Sequence, residues 1–168
     1  MLANESGADH ELSAPYPLDA LGAQTQGLIG YWITQELRNA GLRRPVVALI
    51  TQTVVDPGDP GFATPTKFVG PSYPAERVDA LTARHGWTLR EDTAGWRRVV
   101  ASPEPLGVVE LDTARQLLDA GTTTVCGGGG GAPVTQTGGR FVGLDAVVDK
   151  DWSQLTWPSP LTPTGSSC

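Results

Sequence analysis

The chain has 168 residues, 39% hydrophobic and 18% charged, which fits one globular core and excludes an intrinsically disordered polymer. A formal net charge of -6 argues against nucleic acid as a partner. No apolar run approaches a membrane span, Met1-Leu2-Ala3-Asn4-Glu5 does not open a signal peptide, and Cys126 and Cys168 read as free thiols, so the expectation is a cytoplasmic protein without a membrane partner.

Residues 1–17 are polar and punctuated by proline, and read as loop. From Leu18 to about Asn39, Leu18, Leu21, Leu28, Ile29, Trp32, Ile33 and Leu37 recur at helical spacing on one broad face, and Gly41 follows as a stop. Gly22 and Gly30 stand eight apart on that helix, where another backbone can approach closely. Pro45 then opens Val46 to Val55, a continuous apolar run without alternation, as in a strand covered on both faces. Helix, loop and buried strand make an αβ unit.

Residues 56–105 differ. Asp56-Pro57-Gly58-Asp59-Pro60-Gly61 is a turn cluster, and prolines recur at 65, 71 and 74. A short helix is expected over Pro74 to Arg84, ending at Gly86. Two extended segments, Trp87 to Arg90 and Trp96 to Val100, are joined by a turn over Glu91 to Gly95. The block reads as an inserted subdomain with a β-ribbon standing off the main sheet.

The αβ rhythm resumes with Val108-Val109-Glu110-Leu111 and a helix from Asp112, its N-cap, to Ala120, with Gly121 at C′. Thr122 to Cys126 reads as a buried strand that empties into five glycines, Gly127 to Gly131, closed by Ala132-Pro133. A hairpin follows, Pro133 to Thr137 and Arg140 to Val142 about Gly138-Gly139. The apolar run from Ala146 then delivers Asp149-Lys150-Asp151. Residues 153–168, with three prolines and no charge, read as disordered or foreign to the domain.

The glycine run is either a surface linker or a placed backbone whose N–H groups receive an anion. It is not a Walker A loop, since no Gly-Lys-Ser/Thr follows, nor a GxGxxG opening a helix. Lys150 between Asp149 and Asp151 is either a solvated charge cluster or a cation delivered to the end of a strand, where open α/β sheets place ligands. Lys67, in Pro65-Thr66-Lys67, is the only other lysine, and reads equally as an exposed loop residue or as one fixed to reach a site. Arg43-Arg44 and Arg97-Arg98 read as solvated faces, and His10 and His85 have no metal-ligand spacing.

Several stretches together resemble the bacterial carbamate kinases: Tyr16-Pro17-Leu18-Asp19-Ala20-Leu21-Gly22-Ala23-Gln24-Thr25-Gln26-Gly27 and on to Tyr31, Leu49 to Thr53, Pro65-Thr66-Lys67-Phe68-Val69-Gly70-Pro71, Trp96 to Pro103, Cys126 to Val134 and Ala146 to Asp151. The resemblance runs collinearly from about Leu2 to Trp152. It implies the amino-acid kinase fold, a three-layer α/β/α sandwich around a mainly parallel sheet, assembled as a homodimer. The organisation it implies is a partial kinase domain over 1–152, with 56–105 inserted as a lid subdomain, and a non-homologous tail over 153–168.

The implied activity is reversible phosphoryl transfer between ATP and carbamate, giving ADP and carbamoyl phosphate, in arginine catabolism. Mg2+ is expected to arrive with the nucleotide rather than on protein ligands. Lys150 corresponds to the lysine on the transferred phosphoryl group, Asp151 to the aspartate that organises the catalytic lysines, and Lys67 to the lysine of the lid. Gly127, Gly128, Gly129 and Gly130 are implied to line the carbamoyl phosphate pocket. The family's Gly-Gly-Asn and His-Gly-Asn-Gly-Pro loops and its nucleotide-binding half have no counterpart in these residues. The expectation is therefore a fragment, inactive alone, with a non-catalytic remnant or interaction module as the alternative.

Overall fold

The computed structural model of the chain describes residues 16–126 and 129–151. The tail expected over 153–168, nearly all of the expected N-terminal loop, His10, Gly127 and Gly128 lie outside the described residues.

Helix α1 spans Leu18–Asn39, as the periodicity predicts. Its packing differs from the expected apolar face. Leu21, Gln26 and Gly30 are buried, whereas Leu28, Trp32 and Ile33 are exposed. The reason is a polar and a small residue on the side facing the sheet: Gln26 bonds the chain at Thr51, and Gly30 lets the helix close on Ala48. Gly22 meets nothing within 4 Å, so only one of the two glycines serves close approach.

The run Val46 to Val55 is two strands rather than one, β1 (Val46–Ala48) and β2 (Gln52–Val55). β1 pairs in parallel with β7 (Thr123–Val125), and β2 joins a different sheet. The break falls where Gln26 acts as a substitute strand. Its side-chain amide accepts from Thr51 N (2.8 Å) and Oγ1 (2.9 Å) and donates to Thr51 O (3.1 Å). Thr51 is fully buried, so its backbone needs these partners.

β2 lies between β6 (Pro105–Val108), antiparallel, and β8 (Ala132–Thr137), parallel, with β9 (Arg140–Gly143) antiparallel on the outside. Helix α4 covers Leu111–Asp119. Asp112 is not its N-cap: Glu110 holds that position and turns its carboxylate to Gln52, accepting from the backbone N (2.7 Å) and Nε2 (2.8 Å). The fold is α/β, with the parallel pair β1–β7 in one sheet and the parallel pair β2–β8 flanked by antiparallel strands in another.

A third sheet, ordered β3-β5-β4, is built from Lys67–Tyr73, Gly95–Val100 and Thr88–Asp92. The short helix α2 (Pro60–Ala63) leads in, capped by Asp59, which accepts from Gly61 N (2.6 Å). A 3-10 turn at Ala75–Arg77 runs into α3 (Val78–His85), and Gly86 ends it at φ 68°. The turn between β4 and β5 is two residues, Thr93-Ala94, shorter than expected. This ribbon has its own core, Leu81, Trp87 and Leu89 with Tyr73, Val78 and Trp96 around them.

Ribbon and body meet along residues 145–149. Ala101 forms a parallel bridge to Ala146, and Val147 N donates to Ala101 O (3.0 Å). Ala146 and Val148 are buried, while Asp145 is exposed and Asp149 half-buried. That alternation is strand-like, so Asp145 and Asp149 share a side.

Candidate functional site

The ribbon supplies the cations. In its register Lys67 lies opposite Val100 and Val69 opposite Arg98. Residues paired directly across antiparallel strands share a face, and so do residues two apart. Lys67 and Arg98 therefore project from the same face of the ribbon, toward the segment that carries Asp145 and Asp149.

Both cations find a carboxylate there. Lys67 Nζ donates to Asp149 Oδ2 at 2.5 Å, and Arg98 Nη2 to Asp145 Oδ2 at 2.8 Å. The two pairs differ in burial. The Arg98 side chain is 9% exposed and lies over the Trp87 ring at 4.9 Å, whereas the Lys67 side chain is 38% exposed. Arg98 is thus no solvated face. It is a buried anchor, and its acid also accepts from Leu18 N (3.2 Å), supplying the first turn of α1 with the acceptor Pro17 cannot give. Arg97, on the opposite face, donates to Asp92 at 2.9 Å and sits over Phe68.

Asp149 serves two partners. While Oδ2 takes Lys67, Oδ1 accepts from Asp151 N at 3.0 Å, an N-cap contact where Lys150 and Asp151 turn helical. The Lys67 ammonium first, and then the Asp151 N–H, hold the Asp149 carboxyl below its ordinary range. Lys150 Nζ donates to Asp151 Oδ1 at 2.5 Å, and that bond raises the lysine's pKa further. Both side chains of that second pair are exposed.

The described part of the glycine run is a placed backbone. Gly130 O accepts from Thr53 Oγ1 (2.7 Å), and Ala132 N donates to Thr51 O (2.9 Å). A Cβ on Gly130 would meet the Val148 carbonyl oxygen, and one on Gly131, at φ 87°, would meet Thr53 Oγ1. Only glycine permits that approach. Gly130 therefore packs directly against the segment that continues into Asp149 and Lys150, and Gly131 against Thr53 of β2.

Of the residues picked from sequence, Lys67, Lys150, Asp151 and Gly130 converge here, with Gly129 beside them in the turn. Asp149, Asp145, Arg98 and Gln26 were missed. Asp149 had a visible signal, its place two residues before an N–H at a helix start. Arg98 had a weaker one, its alternation with Val100 along a strand. Gln26 had none within its helix.

A cleft of about 380 Å³ opens nearby, lined by Tyr16, Phe62, Trp87, Arg98 and Asp145 among others. None of Lys67, Lys150 or Gly130 lines it. The meeting of Lys67 with the 149–151 segment is thus a cluster of paired charges and not part of this cleft. His85 stacks on Trp87 with ring centroids 4.6 Å apart at the cleft's edge, its pKa lowered chiefly by burial. Burial, with Glu110 nearby, pushes the half-buried Cys126 thiol up. Among the described residues, no three metal-ligating side chains come together, and no helix is long and apolar enough to cross a membrane.

No protein-family model matches the chain. The carbamate kinase of Pyrococcus horikoshii is 48% identical over 140 residues, covering 80% of this chain and 45% of that protein. The carbamate kinase of Rhizobium meliloti is 44% identical over 149 residues, covering 86% of this chain and 46% of that protein. Giardia lamblia carbamate kinase bound to citric acid aligns with a TM-score of 0.77 at 37% identity, over 92% of this chain and 51% of that one. The same protein bound to AMP-PNP aligns at 0.74 and 38% identity, over 89% and 49%. The chain spans about half the length of the curated relatives it matches.

Proposed function

Because this chain is homologous to the carbamate kinases, with their amino-acid kinase fold, we propose that it supplies the carbamoyl phosphate side of a phosphoryl-transfer site. The reaction is the reversible exchange of a phosphoryl group between ATP and carbamate. The observation that carries this reading is the meeting of Lys67 with the Asp149-Lys150-Asp151 segment, across 82 positions of sequence, above a glycine turn that admits no side chain.

The chemistry asks little covalent work of the protein. Lys150 neutralises charge on the transferring phosphoryl oxygens, and Asp151 orients that lysine through its 2.5 Å bond. Lys67 reaches the same anion from the ribbon, which acts as the lid over residues 56–105. The turn at Gly129 and Gly130 shapes the floor. Mg2+ enters on the nucleotide phosphates, in keeping with its preference for substrate oxygens. Asp149 and Asp151 are engaged by Lys67 and Lys150, which favours that division of labour.

Homodimerisation, a cytoplasmic setting and a role in arginine catabolism belong to the same proposal. The exposed Leu28, Tyr31 and Trp32 of α1 support an interface between copies. The alternative, a non-catalytic remnant, is separated by assay. The 168 residues alone are expected to bind the anion without forming ATP from ADP and carbamoyl phosphate. In a polypeptide extended to the full length of the relatives, Lys150→Ala is expected to lower turnover by roughly a hundredfold or more. Near-normal turnover would remove Lys150 from the phosphoryl role.

A further inference from the structure

Among the described residues, two ion pairs fasten the ribbon to the body, and they differ in burial. Arg98–Asp145 is buried on the arginine side, backed by Trp87 and tied to the start of α1 through Leu18 N. Its arginine has no aqueous alternative, so that pair is a permanent anchor. Lys67–Asp149 has both side chains about one third exposed, and its lysine belongs to the anion site argued above. An exposed ion pair contributes little net stability, and a competing anion meets little resistance in dissolving it.

Asp149 is also equipped to survive that exchange. Its bond from Asp151 N is made by Oδ1 and that from Lys67 by Oδ2, so the first does not depend on the second and can hold the carboxylate when the lysine leaves. An anion arriving over the Gly130 turn finds Lys67 already aimed at the right place, at the cost of displacing one carboxylate oxygen. We propose that Asp149 is the resting partner of Lys67, a built-in competitor that an incoming phosphate-type anion displaces, while Arg98–Asp145 holds the ribbon in register. This rests on the anion reading of Lys67 in the preceding subsection.

The variant that isolates the idea is Asp149→Asn. Asparagine caps a helix as well as aspartate does, so the contact to Asp151 N persists while the competing charge is lost. Lys67 and Lys150 are the only lysines, so the chain labelled with 15N-lysine gives two side-chain ammonium signals in NMR. Without ligand, Asp149→Asn should move the Lys67 signal and leave that of Lys150 nearly in place; an unmoved Lys67 signal overturns the pairing itself. Titrated with inorganic phosphate, the variant should bind roughly two- to fivefold more tightly than the parent. Equal or weaker binding, with Lys67 still responding to phosphate, overturns the displacement and leaves the anion site standing. Phosphate that perturbs neither lysine in either protein overturns the anion site and the displacement together.

Discussion

Lys67 Nζ donates to Asp149 Oδ2 at 2.5 Å, joining a β-ribbon to the start of a helix that lies 82 residues later. The relationship fixes the sign of one pH effect. Asp149 has a folded-state pKa below its unfolded value near 3.9, first through Lys67 and then through the Asp151 N–H. A group so depressed contributes stability above about pH 4, and that contribution is lost as pH falls through the folded value. Lys67→Met should therefore raise the Asp149 midpoint, followed by its side-chain carboxyl carbon in NMR. An unchanged midpoint would show that Lys67 does not set it.

The Arg98–Asp145 pair predicts an unequal response. Removing the acid strands a guanidinium that is 9% exposed, whereas removing the arginine leaves a carboxylate that is 56% exposed and readily hydrated. Asp145→Ala should cost roughly 2–4 kcal/mol, and Arg98→Met clearly less. Urea midpoints compare the two, and equal shifts would contradict the anchor.

Gln26→Ala removes three bonds to a buried residue and leaves the Thr51 N–H without a partner. The expected loss is roughly 1–3 kcal/mol, read as a lower urea midpoint at unchanged slope. Thr51 O also holds Ala132 N, so amide exchange at Ala132 should quicken in the same variant. Protection of Ala132 at the parent level would separate the glycine turn from Gln26.

Glycine substitutions should divide sharply. Gly130→Ala and Gly131→Ala place a methyl against Val148 O and Thr53 Oγ1, costing roughly 1–3 kcal/mol. Gly22→Ala, with nothing within 4 Å and a helical setting, should be neutral or stabilising by up to ~1 kcal/mol. Thermal unfolding of the three proteins checks this, and a common shift would refute the close approach.

Much of this was legible because local signals and tertiary packing agree. The bounds of α1 follow from periodicity and a glycine stop, and the β8–β9 hairpin from Gly138 and Gly139, both at positive φ. Lys150, Asp151 and the glycine run stood out by residue type alone. What stayed hidden is long-range. Nothing local in Val46 to Val55 tells that a glutamine twenty-five positions earlier interrupts the strand at Thr51. Nothing in Arg97-Arg98 says which arginine turns inward, because that depends on the register with β3 and on an aspartate 47 positions later. The face of α1 was misjudged for the same reason, since Gln26 and Gly30 are buried by what they touch rather than by hydrophobicity.

The central claim is that Lys67 and Lys150 converge on one anion. Calorimetric titration of the 168-residue chain with carbamoyl phosphate tests it, beside Lys67→Ala, Lys150→Ala and, as a charge control, Arg115→Ala, whose exposed pair with Asp112 lies on α4. Saturable binding that falls about tenfold or more in each lysine variant and holds in the arginine variant is the expected result. Equal affinity in all four proteins would contradict the site.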